Sequence, residues 1–199
     1  MKLIRFFLLF LVFCGSTYFL YQKLQEDQEG EKLPHYGELK PFQLTAHTDE
    51  KITLDSLKGQ VTIANFVFTR CQGPCPLLCE KMSRLQSIFA KDKDIKQISI
   101  SMDPDYDTPT VLKHFASKHK ADHHKWLFLT GPRKEVYNLT RHAFKLPMDQ
   151  DPDLHSTKIV LVDKNSHIRG YYESLNPESL KKLRKDARAL ARQKSPMAS

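Results

Sequence analysis

An α/β domain with helices on both faces of a sheet is the fold class this sequence predicts, and three features predict it. Short runs rich in β-branched and aromatic residues alternate along the chain with segments of helical period. One of them, VTIANFVFT at residues 61–69, is continuous enough to be a strand buried on both faces. It feeds directly into CQGPCPLLCEKMSRLQSIFA, where Leu78, Met82, Leu85 and Phe89 recur on one helical stripe.

The elements follow in order. Lys2 and Arg5 precede an apolar stretch from Phe6 to Tyr21, just long enough to span a bilayer with some tilt or thinning. Basic residues ahead of it predict a cytoplasmic N-terminus, and no small-residue cleavage signature follows, so residues 1–22 read as an uncleaved transmembrane anchor. Phe13 is too bulky before Cys14 for a lipidated cysteine, which leaves Cys14 inside the membrane segment. Residues 23–38 are polar and without period, a tether holding the domain at 39–195 off the membrane. Within the domain, PFQLTA and KITL are short strands around the turn HTDE. Pro76 suits the first turn of the cysteine-bearing helix, where its missing N–H costs nothing. IKQISISM is a further strand. A loop then leads to a helix that Thr108 caps and Pro109 opens. WLFLTG is a strand, RKEVYNLTRHAF a helix, KIVLVD and HIRGYY a hairpin turning at KNS, and the chain from Pro177 a closing helix.

The 199 residues carry a formal charge of +8, and 40% are hydrophobic, enough to bury a core. Much of the positive charge sits between Lys181 and Arg192, with six basic residues against Asp186. No stacking aromatics are interleaved there, so nucleic acid is excluded in favour of a solvated helix face that can lie near anionic headgroups.

Of the four cysteines, Cys71, Cys75 and Cys79 lie within nine residues. A disulfide framework would scatter them, so clustering points to redox or metal chemistry. At a strand-to-helix turn the helix dipole favours thiolates, the species that attacks disulfides and binds soft metals. Three residues separate Cys71 from Cys75, where thioredoxin-type oxidoreductases carry two. That spacing lets both sulfurs converge on one ion, and thiolates suit Cu(I), with an imidazole extending the site to Cu(II). A structural zinc site would want a fourth ligand, which only Cys79 offers locally. Cys79 otherwise reads as a small buried hydrophobe. His123, His124, His142 and His167 read as surface residues. Asp103, Asp105 and Asp107 alternate as in a calcium loop, but Thr108 and His114 occupy the positions that need glycine and glutamate, which excludes calcium.

NFVFTRCQGPCPLLCEKM resembles the active-site segment of the Sco (SenC) family, with Thr69, Cys71, Cys75 and Pro76 on its T-x-C-P-x-x-C-P pattern and Gln72 where proline is usual. SMDPDYDTP is similar to the family's D-P-x-x-D-T-P segment at Asp103, Pro104, Asp107, Thr108 and Pro109, and LHSTKIVLVD to its distal histidine segment. The resemblance implies a thioredoxin-like fold and a copper site of Cys71, Cys75 and His155. It also implies a metallochaperone that hands copper to a subunit of cytochrome c oxidase. The rival is a membrane-tethered thiol–disulfide oxidoreductase that needs Cys71 and Cys75 as a redox pair but not His155. A thiol peroxidase lacks its expected proline. The expected location is an inner membrane, single pass, with the domain in the periplasm, or alternatively the mitochondrial intermembrane space.

Overall fold

The computed structural model describes residues 10–21, 33–146 and 157–193. Eight strands form one sheet: β1 (Gly37–Glu38), β2 (Gln43–Ala46), β3 (Lys51–Thr53), β4 (Val61–Val67), β5 (Ile95–Ser101), β6 (Trp126–Thr130), β7 (Lys158–Val162) and β8 (His167–Glu173). Their spatial order is β1-β8-β7-β4-β5-β6-β2-β3. β4, β5 and β6 run parallel, while β7 joins β4 antiparallel and closes a hairpin with β8. The helices are α1 (Cys75–Ile88), α2 (Pro109–Lys118), α3 (Arg133–Asn138), which continues as a wider turn over Leu139–Ala143, and α4 (Pro177–Arg192).

Every residue of β4 is buried because the sheet is covered on both faces. On one face Val61, Ile63 and Val67 pack with Leu78, Met82 and Leu85 of α1, Leu112 of α2, and Leu183 and Leu190 of α4. On the other, Ala64 and Phe66 pack with Phe42, Val136, Leu139 and Phe144. The β4–α1–β5 unit, followed by the β7–β8 hairpin and α4, is the thioredoxin-like arrangement that the resemblance implied. Thr108 caps α2 as expected, its hydroxyl accepting from the Val111 N–H at 3.3 Å.

Two features stand at the N-terminal side. Residues 33–38, read as the end of the tether, are held against the domain: Gly37 and Glu38 pair with Ile168 and His167, and Arg169 donates to the carbonyls of Leu33 and Pro34 at 2.8 and 3.1 Å. A two-residue strand carries no period, so the sequence has no signal for it. Residues 10–21 are helical and exposed. Among the described residues no helix is long and apolar enough to cross a membrane, and residues 1–9 and 22 of the expected anchor lie outside the described residues.

β2 is fastened to β6 by His47, whose N–H donates to the Phe128 carbonyl at 2.8 Å while its Nδ1 accepts from the Phe128 N–H at 3.2 Å. Burial, with the nearby positive groups His123 and Lys113, lowers its pKa from 6.5. The unfolded chain therefore binds this proton at higher pH than the folded one. Stability from this residue is complete above about pH 6.5 and falls as the pH drops below it. Urea denaturation at about pH 7 and about pH 5 is expected to show a loss of stability that His47→Gln makes smaller. An equal loss in that variant would assign the acid sensitivity elsewhere.

Candidate metal centre

The parallel pair β4 and β5 delivers two loops to the same end of the sheet, the usual place for a site in such folds. The loop after β4 carries Thr69, Arg70 and Cys71 and enters α1 at Cys75. Pro74 precedes that helix and Pro76 lies in its first turn, where neither lacks an N–H the helix would use. The loop after β5 carries Asp103, Asp105 and Asp107.

One buried carboxylate ties the two loops together. Asp107 has no solvent exposure, and its oxygens accept from the Thr69 N–H at 3.2 Å, the Thr69 hydroxyl at 2.5 Å and the Ser101 hydroxyl at 2.5 Å. Its own N–H donates to the Asp103 carbonyl at 2.8 Å. A second brace lies outside it. Arg70 donates from Nε to Asp103 at 3.0 Å, and its guanidinium stacks over the Tyr106 ring at 4.3 Å. Asp105 turns outward to Arg133 of α3. The three acids that alternate in sequence therefore have three different partners, and no ion-binding ring forms among them. The sequence reading placed Asp107 in a segment similar to a family motif but did not foresee that it joins the two loops. The signal available for it is its place at the end of an extended loop, directly before the Thr108–Pro109 helix start.

Cys71 is half-buried and its N–H donates to the Phe68 carbonyl at 3.2 Å. Cys75 is 1% exposed and Cys79, one turn further along α1, is fully buried in the core. The Cys71 and Cys75 thiols are in hydrogen-bond contact with each other, and no disulfide joins any two of the three. The expectation that the helix start lowers thiol pKa fails at Cys75. Burial, first, and then the contact with Cys71 push it well up, outweighing the Phe68 backbone hydrogen bond that favours its charged form. Burial likewise pushes the Cys79 thiol up to about 12. Desolvation penalises the thiolate more than the first turn of a 14-residue helix repays.

His155 lies outside the described residues. The other four histidines named in the sequence analysis are placed as follows. His142 is exposed. His167 is half-buried, with Nδ1 3.4 Å from Asp163 and its ring against His35. His123 and His124 are exposed beside Asp122, and donor atoms of these three lie within 4.8 Å of one another. They stand in the turn before β6, at the opposite end of the sheet from the cysteines. Chemically, two thiols in contact at a helix start can close a disulfide or share one soft ion.

A SCO1/SenC family model matches residues 31–191. The chain is 31% identical over 173 residues to the SCO1 protein homolog of Bacillus subtilis, covering 84% of this chain and 83% of that one. Among solved structures it resembles BsSco, a member of the Sco family of cytochrome c oxidase assembly proteins in which a disulfide switch has been identified. The TM-score is 0.73 at 27% identity, over 82% of this chain and 98% of that one. It also resembles Bradyrhizobium japonicum ScoI solved with copper bound, with a TM-score of 0.62 at 27% identity, over 75% and 99% of the two chains.

Two outcomes follow from this geometry. Among the three cysteines of the domain, alkylation of the native protein is expected to modify Cys71 first, with Cys75 and Cys79 reacting only after denaturation, as read by peptide mass mapping. Equal labelling of all three in the folded state would contradict their burial. Asp107→Ala removes the acceptor for three donors and is expected to cost about 2–3 kcal/mol in chemical denaturation, since each buried hydrogen bond lost carries about 1 kcal/mol. A loss below about 0.5 kcal/mol would show the loops held by other contacts.

Proposed function

The chain belongs to the SCO1/SenC family, and from that premise we propose that it is a membrane-anchored metallochaperone that binds copper as cargo and passes it to an oxidase subunit. The ligands are Cys71, Cys75 and His155. The observation that carries this reading is the contact between the Cys71 and Cys75 thiols at the start of α1, one half-exposed and one buried. A soft d¹⁰ ion matches that donor pair, and a neutral imidazole from His155 would complete three-coordination and accommodate Cu(II) as well. The half-exposed sulfur gives a receiving thiol a point of attack, so transfer proceeds by ligand exchange without turnover of a small substrate. Residues 1–22 serve as the anchor, 23–38 as its link to the domain and 39–195 as the copper-binding domain, which faces the periplasm. Copper bound in the related ScoI supports the metal assignment.

A second reading is supported by the same contact. As a thiol–disulfide oxidoreductase, Cys71 attacks a partner disulfide and displaces one partner thiol. Cys75 then attacks the mixed disulfide, leaving Cys71–Cys75 oxidised and the partner's two thiols reduced. This requires both cysteines and is indifferent to His155. The two roles meet at one point, because oxidising the pair removes two copper ligands.

Anaerobic copper titration of the full chain in detergent separates the readings. One copper per chain is expected, weakened at least about a hundredfold in Cys71→Ala, Cys75→Ala and His155→Ala, beyond the 10–100-fold that loss of a supporting group costs, and retained in Cys79→Ala. Copper held indifferently to His155, or not held at all by the reduced protein, leaves disulfide exchange as the function.

A further inference from the structure

The end of the sheet opposite the cysteines is strongly basic, and its parts are stitched together. α1 and α4 both start at the cysteine end and finish at this basal end, as does α2. Exposed Lys91 and Lys93 follow α1, exposed Lys118 and Lys120 end α2, and exposed Arg188 and Arg192 end α4. Arg188 lies 3.7 Å from Asp92, Lys125 donates to the Asp92 carbonyl at 2.7 Å, and Gln86 donates to the Lys120 carbonyl at 3.1 Å. These contacts join the ends of α1, α2 and α4, and so bring the six cations to one pole. The acids within it are already engaged: Asp92 with Arg188, Asp94 with Lys164 at 2.8 Å, and Asp122 with the His124 N–H at 2.9 Å.

A second observation is independent of charge. The chain joins the domain at Leu33 and Pro34, whose carbonyls are held by Arg169, and Arg169 is paired at 2.9 Å with Asp163 in the basal turn between β7 and β8. Residues 22–32, which connect this point to the N-terminal helical segment, number 11 and span at most about 36–40 Å. That reach is comparable with the size of the domain itself. The basic end is the one nearest the attachment and therefore lies within reach of the bilayer.

We propose that this basal pole docks on an anionic phospholipid surface and so holds the cysteines facing away from the membrane. The proposal rests on the membrane-anchored reading above. Each exposed Lys or Arg within a screening length of anionic headgroups adds to the attraction, so the docking is salt-sensitive. The fixed orientation presents Cys71 to partners that project from the same membrane.

Trp126, the single tryptophan, begins β6 at the basal end and serves as a native reporter. The full chain is reconstituted into phosphatidylcholine vesicles, with or without phosphatidylglycerol, each carrying a trace of dansyl-headgroup lipid, and energy transfer from Trp126 is measured. Transfer is expected to be higher with phosphatidylglycerol. It is expected to fall to the phosphatidylcholine level when salt rises from about 50 to about 500 mM, which shortens the screening length about threefold. The same fall is expected in K91E/K93E/K118E/K120E and in the corresponding four-glutamine variant, whichever melts like the wild type. Equal transfer in the two vesicles, insensitivity to salt, or unchanged transfer in the variants overturns the proposal. Failure to float with phosphatidylcholine vesicles after an alkaline wash refutes the anchor alone. Salt-sensitive flotation with phosphatidylglycerol vesicles then still upholds the docking surface, and its absence overturns it. Binding of duplex DNA without binding of anionic vesicles also overturns it.

Discussion

A single buried carboxylate holds the working end of this molecule in shape. Asp107 sits with no exposure between the loops that leave β4 and β5, accepting from both polar groups of Thr69 and from Ser101. A carboxyl group taken out of water is tolerated only when its polar atoms find partners, and here three donors supply them. The consequence is mechanical. Thr69 is two residues before Cys71, and Thr108, next to Asp107, caps α2. Fixing Asp107 therefore fixes the start of the cysteine loop relative to the start of a neighbouring helix. The Arg70–Asp103 pair repeats the connection on the exposed side, where screening makes it worth less.

Within that frame the two sulfurs have opposite surroundings. Cys71 is half-buried on the loop, while Cys75 is enclosed on the helix and its thiol is pushed well above its ordinary value. An ion held by Cys75, as proposed above, would have to replace its proton, so occupation of the site and deprotonation would be one event. The charge of such an ion would offset the desolvation that keeps the Cys75 thiol protonated. Cys79 shares the burial without the exposure of a neighbour, and its packing among Val67, Leu78 and Met82 is that of a small hydrophobe.

Much of this was legible in the sequence because it is carried by local patterns. The unbroken β4 run, the stripe Leu78–Met82–Leu85 and the Thr108–Pro109 start each combine periodicity or capping with a clear boundary. The features that escaped depend on distance along the chain. Gly37 and Glu38 form a strand only because β8, some 130 residues later, offers an edge. Asp103, Asp105 and Asp107 look equivalent in sequence, yet one pairs with Arg70, one with Arg133 and one is buried. Only tertiary partners distinguish them. The thiolate expectation failed at Cys75 for the same reason: a helix start is visible in sequence, whereas the desolvation that outweighs it comes from the packed sheet and helices.

The fold also separates what the sequence interleaves. α1 begins at Cys75 and ends at Ile88, fourteen residues or about 21 Å away, next to Lys91 and Lys93. Its first turn sits beside the sulfurs and its last beside the basic pole. α4 runs the same way along the β8 side and ends in Arg192. Lys164 pins that end, donating to the Ala191 and Gln193 carbonyls at 2.7 and 2.9 Å while pairing with Asp94. The parallel direction of β4, β5 and the helices that follow them makes this separation unavoidable: loops after strands gather at one pole and loops after helices at the other. Acidic loops with thiols therefore occupy one end and lysine-rich turns the other. The charge asymmetry of the chain becomes a direction in space only once the sheet has formed.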